Sequence, residues 1–174
     1  RRTEVLRWRG LILLLSRSGS KMDYQKLSRE LGISRITLKE YIIFLEGTFF
    51  LTLIYPYTKN RDVEIRSTPK IYICDSGLVA KLGQIDIGHI FENAIFHQLR
   101  SLDAYKSLNY YERKNGGEID FIINKQQAFE VKIHPTPSDL KKYSQLWKKL
   151  ELKKSKIVAY DFSTLKNTQY GFQI

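Results

Sequence analysis

The first half of the chain carries apolar residues at helical spacing, interrupted by short polar segments. This spacing predicts helices over residues 4–16, 22–31 and 34–46. Gly32 is expected to end the second helix, and Ser34 is expected to cap the start of the third. The apolar positions expected to face the core from the first and third helices are Val5, Trp8, Ile12, Leu15, Leu38, Tyr41, Ile42 and Leu45.

After residue 47 the pattern changes from helical to extended. Residues 49–57 are rich in β-branched and aromatic side chains, and residues 63–66 and 70–74 can return as strands. Residues 58–62 between them have the composition of a turn. Three helices followed by a strand, a basic turn and a second strand predict a winged helix-turn-helix, which we assign to residues 1–87.

The second half follows a different order of helical and extended patterns. A helix is predicted first, then three strands joined by turns, a second helix and a final strand. The predicted ranges are 90–102, 108–113, 118–123, 128–133, 138–150 and 156–161. This αβββαβ order predicts a mixed α/β (α+β) chain whose second domain covers residues 88–174. Ser138 is the expected cap of the second helix of this domain.

Basic residues outnumber acidic residues by 29 to 18, which gives a formal net charge of +11. The excess is spread over both halves of the chain. A charge of this size indicates a polyanionic partner, and nucleic acid, with DNA favoured, is the first expectation. One set of lysines is open to two interpretations, a solvated helix face or a surface that follows a phosphate backbone. These are Lys141, Lys142, Lys148, Lys149, Lys153 and Lys154.

The sequence disfavours several classes of protein. Cys74 is the single cysteine, which excludes an internal disulfide and a multi-cysteine zinc site and fits a reducing, cytoplasmic location. The longest apolar run, Leu11–Leu15, is too short to cross a membrane, so no membrane partner is expected. There is no glycine-rich phosphate loop and no initiator Met. We therefore expect a fragment of a longer protein, without ATPase activity of its own.

Apolar residues between Leu27 and Leu38 have the spacing of a helix-turn-helix, with a tight turn at Gly32. The start of the third helix would then face base edges and phosphates, and the basic wing would face the DNA backbone. The candidates for DNA contact are Ser34, Arg35, Thr37, Lys39, Lys59, Arg61 and Arg66. Glu40 and Glu46 lie on the same outer face, so a linker or protein-docking role stays open.

Three residues of the second domain form a candidate catalytic group. Asp120 lies at the start of a predicted strand, and Glu130 and Lys132 share one face of the next strand. In a hairpin the carboxylates of Asp120 and Glu130 converge, and with a backbone carbonyl they suit Mg²⁺ or Mn²⁺. Lys132 would orient or deprotonate the attacking water or stabilise the phosphate, and Glu92 would add a further carboxylate. The alternative is a set of solvated charges with a cross-strand pair.

These motifs resemble those of the PD-(D/E)XK nuclease superfamily, which has the restriction-endonuclease-like fold. The resemblance covers about residues 88–161 and rests on Phe91–Asn93, Gly116–Phe121 and Phe129–Lys132. It implies that Asp120 and Glu130 are metal ligands and that Lys132 is the catalytic lysine. It also implies that Glu92 is a helix acid that supports catalysis and metal binding. The Pro-Asp pair common in the superfamily is absent, since Ile119 precedes Asp120.

The whole chain is similar to the C-terminal region of a group of uncharacterised prokaryotic AAA+-type ATPases. The segment Ser67–Leu78 resembles the junction segment of that group, and the nuclease-like motifs follow it in the same order. The resemblance implies that an N-terminal ATPase module, absent from this chain, is a partner. ATPases of this general type often assemble into rings, so a homo-oligomer is an open expectation.

The expected function is DNA binding with Mg²⁺-dependent phosphodiester hydrolysis. The main alternative is a non-catalytic module that tethers the ATPase to DNA or to a protein. A transcription regulator that dimerises and acts through the helix-turn-helix is a third interpretation. The first two differ in one geometric respect: a nuclease needs the carboxylates of Asp120 and Glu130 close together, with the Lys132 amine beside them.

Overall fold

The computed structural model describes residues 2–58, 67–101, 107–113 and 117–174, with the backbone alone for residues 2–7. In these residues the chain has six α-helices and two β-sheets, which confirms the predicted mixed α/β class. The chain forms two compact units that interleave in sequence. The first unit is Arg1–Leu53 with Thr68–Asn93, and the second is Ile54–Ser67 with Ala94–Ile174.

Helices dominate the first part of the chain. The elements are α1 (Arg2–Leu15), α2 (Tyr24–Leu31), α3 (Arg35–Gly47), β1 (Leu51–Ile54), β2 (Lys70–Ile73) and α4 (Ser76–Leu82). The strands β1 and β2 form a two-stranded sheet. The three predicted helices correspond to α1, α2 and α3 within two residues at each end. Most of the predicted wing, from residue 59 to residue 66, lies outside the described residues.

Local sequence explains where α2 and α3 begin and end. The Asp23 carboxylate accepts a hydrogen bond from the Lys26 N–H at 2.9 Å, which caps the start of α2. Gly32 follows α2 with φ +64°, a left-handed conformation that glycine adopts without steric cost. The Ser34 hydroxyl accepts a hydrogen bond from the Thr37 N–H at 3.0 Å, so the predicted cap of α3 is confirmed.

Part of the core face predicted for α1 and α3 is wrong. Trp8, Ile12 and Tyr41 are 67 %, 48 % and 37 % exposed. α1 has apolar residues on most of its circumference, and a helix of this kind does not define one apolar face by its pattern. The other predicted core residues whose side chains are described are buried or partly buried: Leu15, Leu38, Ile42 and Leu45.

The helix α5 (Ile87–Ser101) begins in the first unit and ends in the second. The elements after it are β3 (Leu108–Glu112), β4 (Glu118–Ile123), β5 (Gln127–Lys132), α6 (Pro137–Lys149), β6 (Lys154–Ala159), β7 (Thr168–Tyr170) and a 3₁₀ turn at Gly171–Gln173. The order predicted for this half is present. The strand β7 was not predicted, because three residues are too few to reveal an alternating pattern.

The five strands of the second unit form one sheet in the order β3-β4-β5-β6-β7. The strands β3, β4 and β5 are antiparallel neighbours, whereas β5, β6 and β7 run parallel. Parallel neighbours require a crossover connection, and α6 provides it between β5 and β6. Ile122, Trp147 and Ile157 belong to the apolar core that α6 shares with the sheet. None of the helices in the described residues is long and apolar enough to cross a membrane.

The start of α6 differs from the predicted one. Thr136, rather than Ser138, caps the helix, and its hydroxyl accepts a hydrogen bond from the Asp139 N–H at 3.2 Å. In return, the Asp139 carboxylate accepts a hydrogen bond from the Thr136 N–H at 2.9 Å. Pro137 lies in the first turn, where a missing N–H loses no helical bond. This reciprocal capping box fixes where α6 begins.

Candidate active site

The pairing of β4 with β5 brings Asp120 next to Glu130. The two strands are antiparallel, and the last of their paired positions in this direction is Phe121 opposite Phe129. Asp120 and Glu130 are the next residues along each strand, so they lie where the regular ladder of the hairpin ends. Glu130 is also in register with Ile157 of β6 on its other side.

Beyond the last paired position, the carboxylates of Asp120 and Glu130 accept hydrogen bonds from backbone N–H groups of the opposite strand. The Asp120 carboxylate accepts a hydrogen bond from the Val131 N–H at 2.8 Å. The Glu130 carboxylate accepts one from the Asp120 N–H at 3.3 Å. Asp120 and Glu130 are only 7 % and 2 % exposed. The two carboxylates are thus held together in a buried position, by the backbone of the opposite strand.

Lys132 completes the group that the sequence pattern predicts. Its Nζ atom lies 2.7 Å from Glu130 Oε1, because alternate residues of a strand share one face. The Lys132 side chain is 33 % exposed, whereas that of Glu130 is 2 % exposed. The structure therefore brings Asp120, Glu130 and Lys132 together, with the lysine on the solvent side.

A fourth residue, Tyr143 of α6, belongs to this group and was missed by the sequence analysis. Burial and the charge of Glu130 raise the pKa of its hydroxyl group, whereas Lys132 acts in the opposite direction. The Lys132 ammonium also lies 5.4 Å from the centre of the Tyr143 ring. Tyr143 occupies an apolar position of the α6 pattern, and only its hydroxyl distinguishes it from the other core residues. No pattern in the sequence indicates where that hydroxyl points.

Two factors shift the pKa values in this group: burial, and the short separation of the Asp120 and Glu130 carboxylates. Burial, together with the charge of Asp120, raises the pKa of Glu130 to about 8, although Lys132 and Tyr143 act in the opposite direction. Burial alone would lower the pKa of Lys132, but the charge and hydrogen bond of Glu130 outweigh it and the pKa is raised. The surroundings therefore favour the protonated form of Glu130 and the ammonium form of Lys132.

The donors of this group suit a hard divalent cation. Carboxylate oxygens are the ligands that Mg²⁺ and Mn²⁺ prefer, and two buried acids repel each other unless a proton or a cation lies between them. In the described residues, no group of three or more His, Cys, Asp and Glu side chains is gathered for a metal. Mg²⁺ in phosphate chemistry is commonly held by one or two carboxylates, with water and substrate oxygens as the other ligands. Asp120 and Glu130 fit that role.

Glu92 lies on α5 in the first unit and has its own partners there. Its Oε1 atom accepts a hydrogen bond from the Tyr72 hydroxyl at 2.6 Å and lies 3.2 Å from Lys70 Nζ. The next residue, Asn93, is fully buried, and its side-chain amide bonds with both the N–H and the C=O of Ile73. These bonds fasten α5 to β2. The role of Glu92 as a helix acid and metal ligand stays a prediction.

The candidate DNA contacts on α3 lie in its first turns. Arg35 and Lys39 are exposed and line a shallow groove, in which Lys39 Nζ is 5.9 Å from the centre of the Tyr24 ring. The hydroxyl groups of Ser34 and Thr37 are 2.9 Å apart and take part in the cap of the helix. The remaining candidates lie outside the described residues: Lys59, Arg61 and Arg66.

The rest of the outer face of α3 is apolar and acidic. Ile36, Ile43 and Phe44 are 72 %, 68 % and 64 % exposed. Glu40 and Glu46 are exposed on the same helix. Helices that read DNA present basic and polar side chains to the groove. Most of this face lacks such side chains.

Two known domain families match parts of this chain. Residues 87–173, half of the chain, match a domain of unknown function, DUF4143, which is found at the C-terminus of AAA-ATPase-like proteins. The chain therefore belongs to the DUF4143 family. Residues 6–87 match a second domain of unknown function, DUF8612.

Two curated relatives are similar to the chain. They are Uncharacterized protein Rv2008c of Mycobacterium tuberculosis and Uncharacterized protein Mb2031c of Mycobacterium bovis. Each is 27 % identical over 143 residues, which cover 75 % of this chain and 32 % of the relative. The chain thus spans about a third of the length of these relatives. No solved structure matches the chain.

Proposed function

We propose that this chain is the DNA-binding, nuclease-like C-terminal part of an AAA+-type ATPase and that it hydrolyses phosphodiester bonds with Mg²⁺ or Mn²⁺. The observation that carries the proposal is the meeting of two buried carboxylates with a partly exposed lysine. Asp120 and Glu130 adjoin each other where the β4–β5 ladder ends, and Lys132 Nζ lies 2.7 Å from Glu130.

The architecture of both units supports this proposal. In the second unit, α5, three antiparallel strands, the crossover α6 and the parallel strand β6 follow the order of a restriction-endonuclease-like domain. In the first unit, three helices and a two-stranded sheet follow the order of a winged helix. The family match to a domain of AAA-ATPase-like proteins supports the link to an ATPase.

In this proposal Asp120 and Glu130 would hold the cation. A divalent cation there would supply Lewis-acid chemistry: it would polarise the phosphate and lower the pKa of a water molecule. Burial and the charge of Asp120 raise the pKa of Glu130, so cation binding would compete with protonation of this carboxylate. The Glu130 carboxylate accepts a hydrogen bond from the Asp120 N–H, and the Asp120 carboxylate accepts one from the Val131 N–H. These two bonds keep both carboxylates oriented.

Lys132 acts as a cationic hydrogen-bond donor rather than as a base, because Glu130 keeps it protonated. In hydrolysis the oxygen of a water molecule attacks phosphorus, and the bond from phosphorus to the leaving-strand oxygen breaks. The leaving oxygen receives a proton, so one water is added across the broken bond. The Lys132 ammonium is placed to stabilise the negative charge that develops on the phosphate oxygens.

The proposal is tested by cleavage of supercoiled plasmid and of single-stranded DNA with Mg²⁺, with Mn²⁺ and with EDTA. We expect metal-dependent cutting by the wild type, its loss in Asp120→Asn and in Lys132→Gln, and its retention in Glu118→Gln. Glu118 is the matched control because it lies on the same strand, two residues before Asp120. Equal cutting by all four proteins would show that a contaminating nuclease is responsible and would contradict the proposal. Salt-sensitive DNA binding without cutting would instead favour the tethering module.

A further inference from the structure

From residue 141 onward, the exposed positions of α6 carry positive charge only: they hold four lysines and two uncharged polar residues, Ser144 and Gln145. The acid of this helix, Asp139, lies in the first turn, is only partly exposed, and interacts electrostatically with Lys142. In the described residues, none of the four lysines forms an ion pair with a carboxylate. We name this set the α6 lysine ridge, and its members are Lys141, Lys142, Lys148 and Lys149.

The packing of α6 holds the ridge in one place. Tyr143, Leu146 and Trp147 are buried against the sheet, which turns the lysines toward solvent. Residues seven positions apart lie on nearly the same side of a helix and are about 10 Å apart along its axis. The pairs Lys141/Lys148 and Lys142/Lys149 therefore make two short rows of charge along the helix, about 100° apart around its axis.

The ridge is continuous with the candidate active site. Lys142 Nζ lies 5.1 Å from the centre of the Tyr143 ring. Lys132 Nζ lies 5.4 Å from the centre of the same ring. One end of the ridge therefore adjoins the group that is proposed to cut the phosphodiester bond.

We propose that the α6 lysine ridge binds the sugar–phosphate backbone of a nucleic-acid strand and leads that strand to Lys132. The choice of Lys132 as the end point rests on the proposed function, whereas binding along the ridge does not require cleavage. A row of spaced ammonium groups with hydroxyl and amide groups between them matches a chain of phosphates. An anionic membrane surface would also require exposed apolar side chains on this helix, and its exposed positions hold none.

The outer face of α3 is less suited to binding a phosphate backbone than the α6 lysine ridge. The outer face of α3 has two basic residues, Arg35 and Lys39, against two acidic ones, and three large apolar side chains are more than half exposed. The α6 lysine ridge has four basic residues and no acidic one among its exposed positions. Backbone binding depends on local positive charge, so in the described residues the ridge fits a phosphate backbone better.

The test is nucleic-acid binding measured by fluorescence anisotropy in EDTA, over a series of salt concentrations. The ridge variant replaces all four lysines with glutamine, and the matched control replaces four exposed lysines elsewhere with glutamine: Lys26, Lys81, Lys125 and Lys166. We expect the ridge variant to lose about tenfold or more in affinity for a single-stranded oligonucleotide. Its slope of log affinity against log salt should become shallower by about 0.7 for each lost contact. The control should change affinity by less than about threefold.

Wild-type affinity of the ridge variant, or an equal loss of affinity in the four-lysine control, would overturn the proposal. So would an equal loss of binding to polyglutamate and to vesicles of anionic lipid, since the ridge would then be a general cationic surface. Unchanged melting temperature is the control for folding, because exposed substitutions rarely alter stability. Binding through the ridge without DNA cleavage would contradict the proposed nuclease activity but would support backbone binding by the α6 lysine ridge.

Discussion

Glu92 and Glu130 have the same kinds of neighbour, a lysine ammonium and a tyrosine, but they differ in burial and in how far solvent reaches the lysine. Glu92 accepts a hydrogen bond from the Tyr72 hydroxyl, and Tyr143 acts on the pKa of Glu130. One set belongs to the first unit and the other to the second. The two sets are Glu92 with Lys70 and Tyr72, and Glu130 with Lys132 and Tyr143.

The set around Glu92 is closed to solvent. Lys70 and Glu92 are 4 % and 13 % exposed, and Tyr72 is fully buried. The glutamate and the lysine lie on α5 and β2, so their ion pair joins two elements of the first unit. The burial of this ion pair indicates a structural role, which is to hold α5 against β2.

The set around Glu130 differs in two respects. Asp120 adds a second buried carboxylate, and its charge adds to burial in raising the pKa of Glu130. Lys132 is one-third exposed, so a ligand from solvent can reach it. The comparison teaches that glutamate, lysine and tyrosine together do not define a site. The candidate active site differs from the Glu92 set because it has a second carboxylate, that of Asp120, and a lysine that solvent can reach.

The largest expected effect concerns the closed set. Lys70→Gln should lower the free energy of unfolding by about 3–5 kcal/mol, because it leaves the carboxylate of Glu92 without its buried counter-charge. Lys132→Gln should change the free energy of unfolding by much less, since its lysine faces solvent. Urea unfolding of both variants, followed by circular dichroism, measures the difference. Equal losses would mean that the two sets play the same structural part.

The next effect is a dependence of stability on pH that belongs to Glu130. Its pKa is about 8 in the folded chain against an ordinary value of 4.5, with Asp120, Lys132 and Tyr143 facing it. Between these values the folded state holds a proton that the unfolded state has released. The free energy of unfolding should therefore fall as pH rises, by at most about 1.4 kcal/mol per pH unit from this group.

Glu130→Gln is the variant that isolates this contribution, because glutamine does not titrate. In EDTA, its free energy of unfolding should depend less steeply on pH than that of the wild type between about pH 5 and 8. Parallel curves for the two proteins over this range would show that Glu130 is ionised throughout. That result would contradict the electrostatic account of the site.

The smallest effect concerns the tyrosine hydroxyls. Tyr143→Phe keeps the ring beside Lys132 but removes the hydroxyl that acts on the pKa of Glu130, so cleavage should slow by less than about tenfold, as expected for about 1 kcal/mol. Tyr72→Phe is the matched control: it removes the hydroxyl that binds Glu92 and should lower stability without changing the cleavage rate. A slower rate in Tyr72→Phe alone would reverse the assignment of the two sets.

The sequence predicted the parts of this molecule that depend on local patterns. Helical and alternating periodicity located α2, α3, β4 and β5 within two residues, and the Glu-x-Lys spacing placed Glu130 and Lys132 on one face. The exposed side chains of Trp8 and Ile12 were not predicted, because α1 is apolar on most sides. Ser138 was predicted as a cap by its residue type, whereas Thr136 forms the reciprocal bonds with the helix start.

The remaining features depend on contacts between residues far apart in the chain. Lys70 and Glu92 are 22 positions apart, and no local pattern links them. The hydroxyl of Tyr143 reaches Glu130 only because α6 crosses back over the sheet between β5 and β6. Sequence patterns identify such residues as buried or charged, but the fold decides which of them meet.

The central claim is that Asp120 and Glu130 together bind a divalent cation. Isothermal titration of Mn²⁺ into the wild type, Asp120→Asn and Glu118→Gln tests it most directly, because it needs neither DNA nor cleavage. The account predicts one bound Mn²⁺ in the wild type and in Glu118→Gln, and at least tenfold weaker binding in Asp120→Asn. Equal binding by Asp120→Asn and the wild type, or loss of binding in Glu118→Gln alone, would contradict it.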